Sequence, residues 1–422
     1  MRRGCGVEDG EHGAIRIAPD EVAGPIAELA RFGAHGETGV WRTVYSPEWV
    51  AAADWYAAQA EAAGLAVRRD AVGNVWARLD GTEDGKSIAT GSHLDSQRPG
   101  GQYDGALGAI GGLVALRKLR ERFGQPRRTL EAVALCEEEA SRFPTANFWG
   151  SRAIIGQIAP GDPEATIGYD GETIAAAMRA IGLDPDRCGE ARRDDLDTFV
   201  ELHIEQGPLL EQQGLPVGVV SAITGLRHYA VTLHGTANHA GAFPMDLRRD
   251  PMAGAAEIIS GVVNTAHRMG RPAVTTVGRL AVEPNGAAIV PERVTFTVDA
   301  RHPDPAARAR LYAKHEALIA EVAARRDLDV SWEITHEQDP CVCDAATVAT
   351  LEAAARALGV PFTTMTSGAV HDTQQMAAVA KVAMVFIQSR DGRSHTPEEY
   401  SSPEHLAAGV EVLTEALRRL AY

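Results

Sequence analysis

The chain has 422 residues, 45% hydrophobic and 23% charged, an ordinary balance for a globular protein in water. That length exceeds one ordinary hydrophobic core, so two domains are expected. The formal net charge of −16 argues against nucleic acid or an anionic membrane as partner, and no apolar run approaches the ~20 residues that span a bilayer.

Met1 to Gly13 is polar and glycine-rich and lacks the apolar centre of a signal peptide, so a loose tail is expected over residues 1–14. Pro47–Ala63 is alanine-rich and predicts a helix stopped by Gly64. Asn74–Leu79 predicts a short strand, Ser87–Thr90 a buried one, Ala106–Arg122 a helix, and Thr129–Cys136 and Phe199–Ile204 two more strands. Strands interleaved with helices predict an α/β sheet with helices on both faces. From about Val217 to about Thr335 the pattern changes. Strand Tyr229–His234, helix Asp250–Met269, strands Ala273–Val282 and Arg293–Ala300, helix Pro305–Arg326 and strand Leu328–Ile334 follow one another. This β-α-β-β-α-β order is that of a ferredoxin-like unit. The first pattern then resumes with helix Leu351–Leu358, buried strand Val382–Ile387 and helix Glu404–Leu420. The expected organisation is a catalytic domain of residues 15–216 and 336–422, interrupted by a domain of residues 217–335.

The cysteines, Cys5, Cys136, Cys188, Cys341 and Cys343, are odd in number and form no C-x-x-C pair. This argues against a disulfide framework or a thiolate zinc site and fits a reducing cytoplasm. Cys341-Val-Cys343 reads as alternation along an extended segment.

The chemistry collects just past the strand ends, where open α/β sheets bind ligands. The glycine-rich loop after Ser87–Thr90 carries His93, Asp95 and Asp104. Glu137, Glu138 and Glu139 follow Cys136, His203 and Glu205 close the strand at Phe199, and His395 lies past the strand at Val382. Histidines, an aspartate and a glutamate from separate strand ends form a divalent-metal set, most simply zinc. Adjacent glutamates near a cation can divide the labour: one ligates, and the other takes a proton from the attacking water. That division spells hydrolysis, although spacing alone does not choose among the three glutamates.

The segments YSPEW, GSHLDS, GGQYDGALG, CEEEASRFP, WGSRAI, ELHIEQGPLLE, NHAGAFPM, RRDP, DARH, SGAVHD and SHTPEE resemble the M20 family of metal-dependent amidohydrolases and peptidases. Within it they are similar to the hydantoinase/carbamoylase branch. That branch includes N-carbamoyl-L-amino-acid hydrolases, β-ureidopropionases, and allantoate and ureidoglycolate amidohydrolases. The resemblance runs from about Thr43 to the C-terminus. The HIEQG and EEE-x-SRF signatures point to this branch rather than to the peptidases.

The resemblance implies two divalent ions, Zn²⁺, Mn²⁺ or Co²⁺, bridged by Asp104. His93 and His203 would hold one, and Glu139 and His395 the other. Asp95 would accept from the distal nitrogen of His93, and Glu138 would be the general base. The inserted domain would be a lid and homodimerisation domain. From it, His239 would reach the partner subunit's active site and steady the oxyanion. Arg301 would grip a substrate carboxylate, with Gln206, His228, Asn285, Gly368 and Ala369 as further substrate contacts. The implied activity is hydrolysis of a carbamoyl or ureido C–N bond in a small carboxylate-bearing molecule such as an N-carbamoyl-L-amino acid. Allantoate, ureidoglycolate or another N-acyl amino acid or secondary metabolite are alternatives. A silent binding protein would have lost a ligand or Glu138, and this chain keeps both. A zinc peptidase is disfavoured by HIEQG. The substrate shell departs from the branch at Ala288, where a second asparagine is usual. It departs again at His228, where allantoate amidohydrolases often carry arginine, and at Thr366.

Overall fold

A computed structural model describes residues 15–422, and the tail expected over residues 1–14 lies outside the described residues. The described chain forms two compact units. The first runs through Ser221 and takes in Cys343–Met365 and His371–Tyr422, and the second comprises Ala222–Val342 and Thr366–Val370.

The first unit is built on a mixed sheet. Leu130–Leu135, Ser87–His93, Leu196–Ile204 and Lys381–Ile387 lie side by side in that order, all parallel. Val75–Leu79 and then Ala66–Arg69 extend one side antiparallel, and Val217–Ile223 the other. Ser87–His93 and Leu130–Leu135 are buried at every residue, which is why they read as apolar runs without alternation. The first of these outlasts its expected end at Thr90, because its parallel partner Leu130–Leu135 carries the ladder past Gly91 to His93, while Leu196–Ile204 pairs with it only as far as Thr90. Helix Ala106–Phe123 opens on small residues, Gly108, Ala109, Gly111 and Gly112, all buried. It packs against this strand and against helix Pro403–Ala421.

The second unit carries a five-stranded sheet that is antiparallel throughout. Val274–Thr276 and Leu280–Glu283 pair with successive parts of one edge of Arg293–His302, whose other edge is followed by Gly225–His234 and Asp329–Gln338. This is the ferredoxin-like order. The single strand expected at Ala273–Val282 is broken in two around Gly278. Helices Pro251–Met269 and Pro305–Arg325 bury Val231, Leu233, Ile258, Val262, Phe296 and Ile319 in one core. Arg293–His302 alternates between that core and a half-exposed face. Asp299 and Arg301 therefore share the outer face with His228, which pairs with Asp299 on the neighbouring strand.

Cys136, Cys188 and Cys341 are free thiols. No helix among the described residues is long and apolar enough to cross a membrane.

Candidate metal centre

The four parallel strands deliver their carboxyl ends to one edge of the first unit. His93 ends its strand, and His203 lies one residue from the end of Leu196–Ile204. Glu137–Glu139 follow Leu130–Leu135, and His395 follows Lys381–Ile387. Asp104 arrives from the loop after His93, immediately before helix Ala106–Phe123. The loop closes tightly: Gly105 has φ +65°, and a side chain there would strike the His93 ring.

Two groups of donors result, His93–Asp104–His203 and Asp104–Glu139–His395. Asp104 belongs to both and divides its oxygens between them. Oδ1 lies 3.4 Å from His93 Nε2 and 3.1 Å from His203 Nε2. Oδ2 lies 3.4 Å from His395 Nε2, which is also 3.4 Å from Glu139 Oε2. The histidine tautomers follow from their other nitrogens. His93 Nδ1 donates to the Asp95 carbonyl at 3.0 Å and His203 Nδ1 to the Ile204 carbonyl at 2.9 Å. In the neutral imidazole each Nε2 is then the acceptor nitrogen, directed at Asp104 Oδ1, and His203 Nε2 also receives the Gly105 N–H at 3.2 Å. Such a set fits a divalent cation. The carboxylates agree. Burial and the adjacent Asp104 push the Glu139 carboxyl up to about 7. Burial also drives Glu138 well above the usual range, with Glu139, Asp372 and Asp104 adding to it against the pull of His93. Negative charge crowded out of water is what a bound cation offsets.

The three adjacent glutamates separate. Glu137 adopts φ 48° and turns its carboxylate onto the Phe143 N–H at 3.0 Å. Glu139 joins the second group. Glu138 joins neither; its Oε2 stands 3.9 Å from His93 Nε2, beside the ligands and uncommitted. Gln97 Nε2 donates to Glu139 Oε2 at 2.7 Å and orients it.

Two expectations for the first unit change. The Asp95 carboxylate is 3.7 Å from His93 Nδ1, which bonds the Asp95 backbone carbonyl instead. The carboxylate accepts the N–H groups of Glu138 and Glu139 at 3.2 and 3.1 Å, because the glutamate loop turns its amides toward it. Gln206, expected at the substrate, donates to Asp104 Oδ2 at 2.9 Å. Glu205, a possible donor by sequence, caps helix Leu209–Gln213 by accepting from Leu209 and Leu210. A third donor group, Glu201–His203–His371, is also present. Its Glu201 carboxylate is already taken by Ser92 Oγ and by the Thr373 N–H and hydroxyl. Sequence reasoning did not single out Ser394, Glu399 or Asp299, although SHTPEE and DARH contain them.

In the second unit, Asp299 ties several expected substrate residues together. Arg301 presents Nε and Nη2 to the Asp299 carboxylate at 2.9 and 2.8 Å, and its Nη1 donates to the Gly368 carbonyl at 3.0 Å. His228 Nε2 is 3.2 Å from the same carboxylate. Burial would raise Asp299, but His228 and Arg301 hold it well below the usual carboxylate range. Ala369 closes a turn with Ser367. His239 sits apart from this cluster on a two-residue strand paired with Ile289–Val290. Its Nδ1 accepts the N–H groups of Gly241 and Ala242 at 3.1 Å each, which places the ring proton on Nε2. Asn285 is exposed, at φ 58°, in the loop leading to that strand pair.

Residues 89–419, which enclose all of these ligand residues, match Peptidase family M20/M25/M40. The chain belongs to this family. Among its M20 relatives, the allantoate amidohydrolase of Escherichia coli (strain K12) is 38% identical over 395 residues, covering 93% of this chain and 96% of that protein. The N-carbamoyl-L-amino acid amidohydrolase of Geobacillus stearothermophilus is 39% identical over 399 residues, covering 94% and 97%. A solved hydantoinase/carbamoylase-family amidase from Burkholderia multivorans superposes with a TM-score of 0.90 at 34% identity, over 96% of this chain and 98% of that one.

Proposed function

We propose that this M20 chain is an amidohydrolase that cleaves the carbamoyl or ureido C–N bond of a small carboxylate-bearing substrate, with an N-carbamoyl-L-amino acid as the favoured class. The observation that carries the reading is the pair of donor groups sharing Asp104, with the unligated Glu138 beside them. Two divalent ions, one held by His93, Asp104 and His203 and the other by Asp104, Glu139 and His395, would polarise the scissile carbonyl and acidify water.

Glu138 takes the proton as the water oxygen adds to the carbonyl carbon. It returns that proton to the nitrogen as the C–N bond breaks, so the leaving group departs as a neutral amine. Asp95 holds the Glu138 and Glu139 amides and thereby aims both side chains. In the second unit, read as a lid and dimerisation domain, His239 donates from Nε2 to the developing oxyanion of the partner subunit's substrate. Arg301 binds the substrate carboxylate. Three of its five N–H hydrogens are engaged by Asp299 and Gly368. Two stay available for a carboxylate fork. The charge and cysteine usage favour a cytoplasmic enzyme without nucleic-acid or membrane partners.

Ala288 and His228 withdraw polar groups from the shell, so a substrate with two ureido arms should be a poor one. The test is a panel of N-carbamoyl amino acids, β-ureidopropionate, allantoate and ureidoglycolate, assayed for amine and ammonia with Mn²⁺ or Zn²⁺ and again after chelation. The expected result is metal-dependent turnover, best on an N-carbamoyl amino acid and poor on allantoate. Efficient allantoate turnover would overturn the substrate assignment, and full activity of a metal-free sample would overturn the mechanism.

A further inference from the structure

Glu399 is buried at the heart of the first unit, and its two oxygens do different things. Oε1 accepts the backbone N–H groups of Tyr103 and Asp104 at 2.9 and 3.0 Å. Oε2 is 2.9 Å from Ser394 Oγ. Ser394 Oγ is in turn 2.8 Å from Asp104 Oδ2, the oxygen that faces His395. The carboxylate thus binds the Asp104 backbone directly and lies beside its side chain across the Ser394 hydroxyl, whose single hydrogen goes to one of the two carboxylates at a time. Ser394 immediately precedes His395, which is held at φ 57°, a left-handed conformation uncommon for histidine. The loop is shaped around this contact: a side chain at Gly101 would strike the Glu399 carboxylate. Glu399, Ser394 and His395 lie within one hexapeptide, so a single short segment both ligates and clamps.

We propose that Glu399 is a positioning residue for the shared carboxylate. It fixes Asp104 relative to His395, so the second donor group, Asp104–Glu139–His395, is assembled at binding distance. The inference rests on the two-ion reading of the centre. It extends that reading to a residue that touches neither ion nor substrate and acts only through Asp104 and Ser394.

The test is calorimetric titration of chelated protein with Zn²⁺, together with metal content per chain, for the full-length wild type and three variants. Glu399→Ala removes both acceptors. It should weaken binding of one of the two ions ~10–100-fold, the usual scale for losing an outer partner of a ligand, while the other ion binds as before. Glu399→Gln keeps an oxygen for the two N–H groups and offers its amide to Ser394 Oγ, whose hydrogen then goes to Asp104. This variant should bind both ions close to wild type. Ser394→Ala severs only the side-chain arm and should weaken the same ion by a smaller factor, which keeps the test open if Glu399→Ala folds poorly. Far-UV circular dichroism of the metal-free variants separates folding from binding. Wild-type affinity for both ions in a folded Glu399→Ala protein would overturn the proposal. So would a Glu399→Gln protein as impaired as Glu399→Ala, because the role would then belong to charge. A wild type that takes up no metal at all would overturn the two-ion reading itself, a failure visible before any variant is compared.

Discussion

Glu137, Glu138 and Glu139 are chemically alike and adjacent, yet the backbone gives them three environments. One caps a turn, one joins a donor group and one is left outside both groups. A group in the third position can move a proton because nothing else claims its oxygens. Glu138→Gln should therefore lower kcat by at least ~10²-fold, the lower scale for a positioned proton-transfer group, with metal content per chain unchanged. A variant that loses metal instead would make Glu138 the ligand. That these histidines and carboxylates would converge was legible in the sequence because they lie at or beyond the carboxyl ends of the parallel strands. The division among the glutamates was not, because it depends on the left-handed turn at Glu137 and on Asp95 holding the next two amides. Glu205 shows the converse. Its place beside His203 suits a ligand, but two helix amides four and five residues later claim its carboxylate. Asp299 stayed hidden for a similar reason: an arginine two residues along the same strand face advertises a substrate anion, and the counter-ion comes from the protein itself.

At the scale of elements, long apolar or alternating segments were legible and short or edge ones were not. Strand Ala66–Arg69 is a sheet edge with little buried surface, and helix Asp20–Leu29 begins without a side-chain cap and contains Pro25, so neither carries a strong signal. Helix Pro305–Arg325 was legible, but the use of one residue on it was not. His315 is fully buried, with Nε2 3.4 Å from Thr275 Oγ1, and burial drives its pKa from 6.5 down to about 4. The folded imidazole stays neutral where the unfolded one is protonated, so the unfolded chain binds more protons between about pH 6.5 and 4. Stability is present above 6.5 and is lost as the pH falls through that window, by up to about 3 kcal/mol from this group. A His315→Gln protein should show a flatter dependence of its urea midpoint on pH over that range. An unchanged slope would place the acid sensitivity elsewhere.

At the scale of the whole molecule, each unit has its own sheet and its own buried residues. Assembly gives the sharpest test of the proposed dimer. If His239 serves the partner subunit's site, mixing inactive Glu138→Gln protein with inactive His239→Ala protein should recover activity in heterodimers, because one site of each pair then keeps both groups. No recovery after demonstrated subunit exchange would place His239 in its own subunit's site or outside catalysis. The division into units also bears on descent. Every proposed ligand and Glu138 lie in the first unit, while His228, Ala288 and Thr366, the three positions at which the sequence is expected to differ from the branch pattern, lie in the second. Mutation in these two stretches of the gene, residues 222–342 and 366–370, can thus explore substrate choice while leaving the proposed ligands and Glu138 untouched. A library confined to residues 222–342 and 366–370 would be the natural place to breed new selectivities from this scaffold.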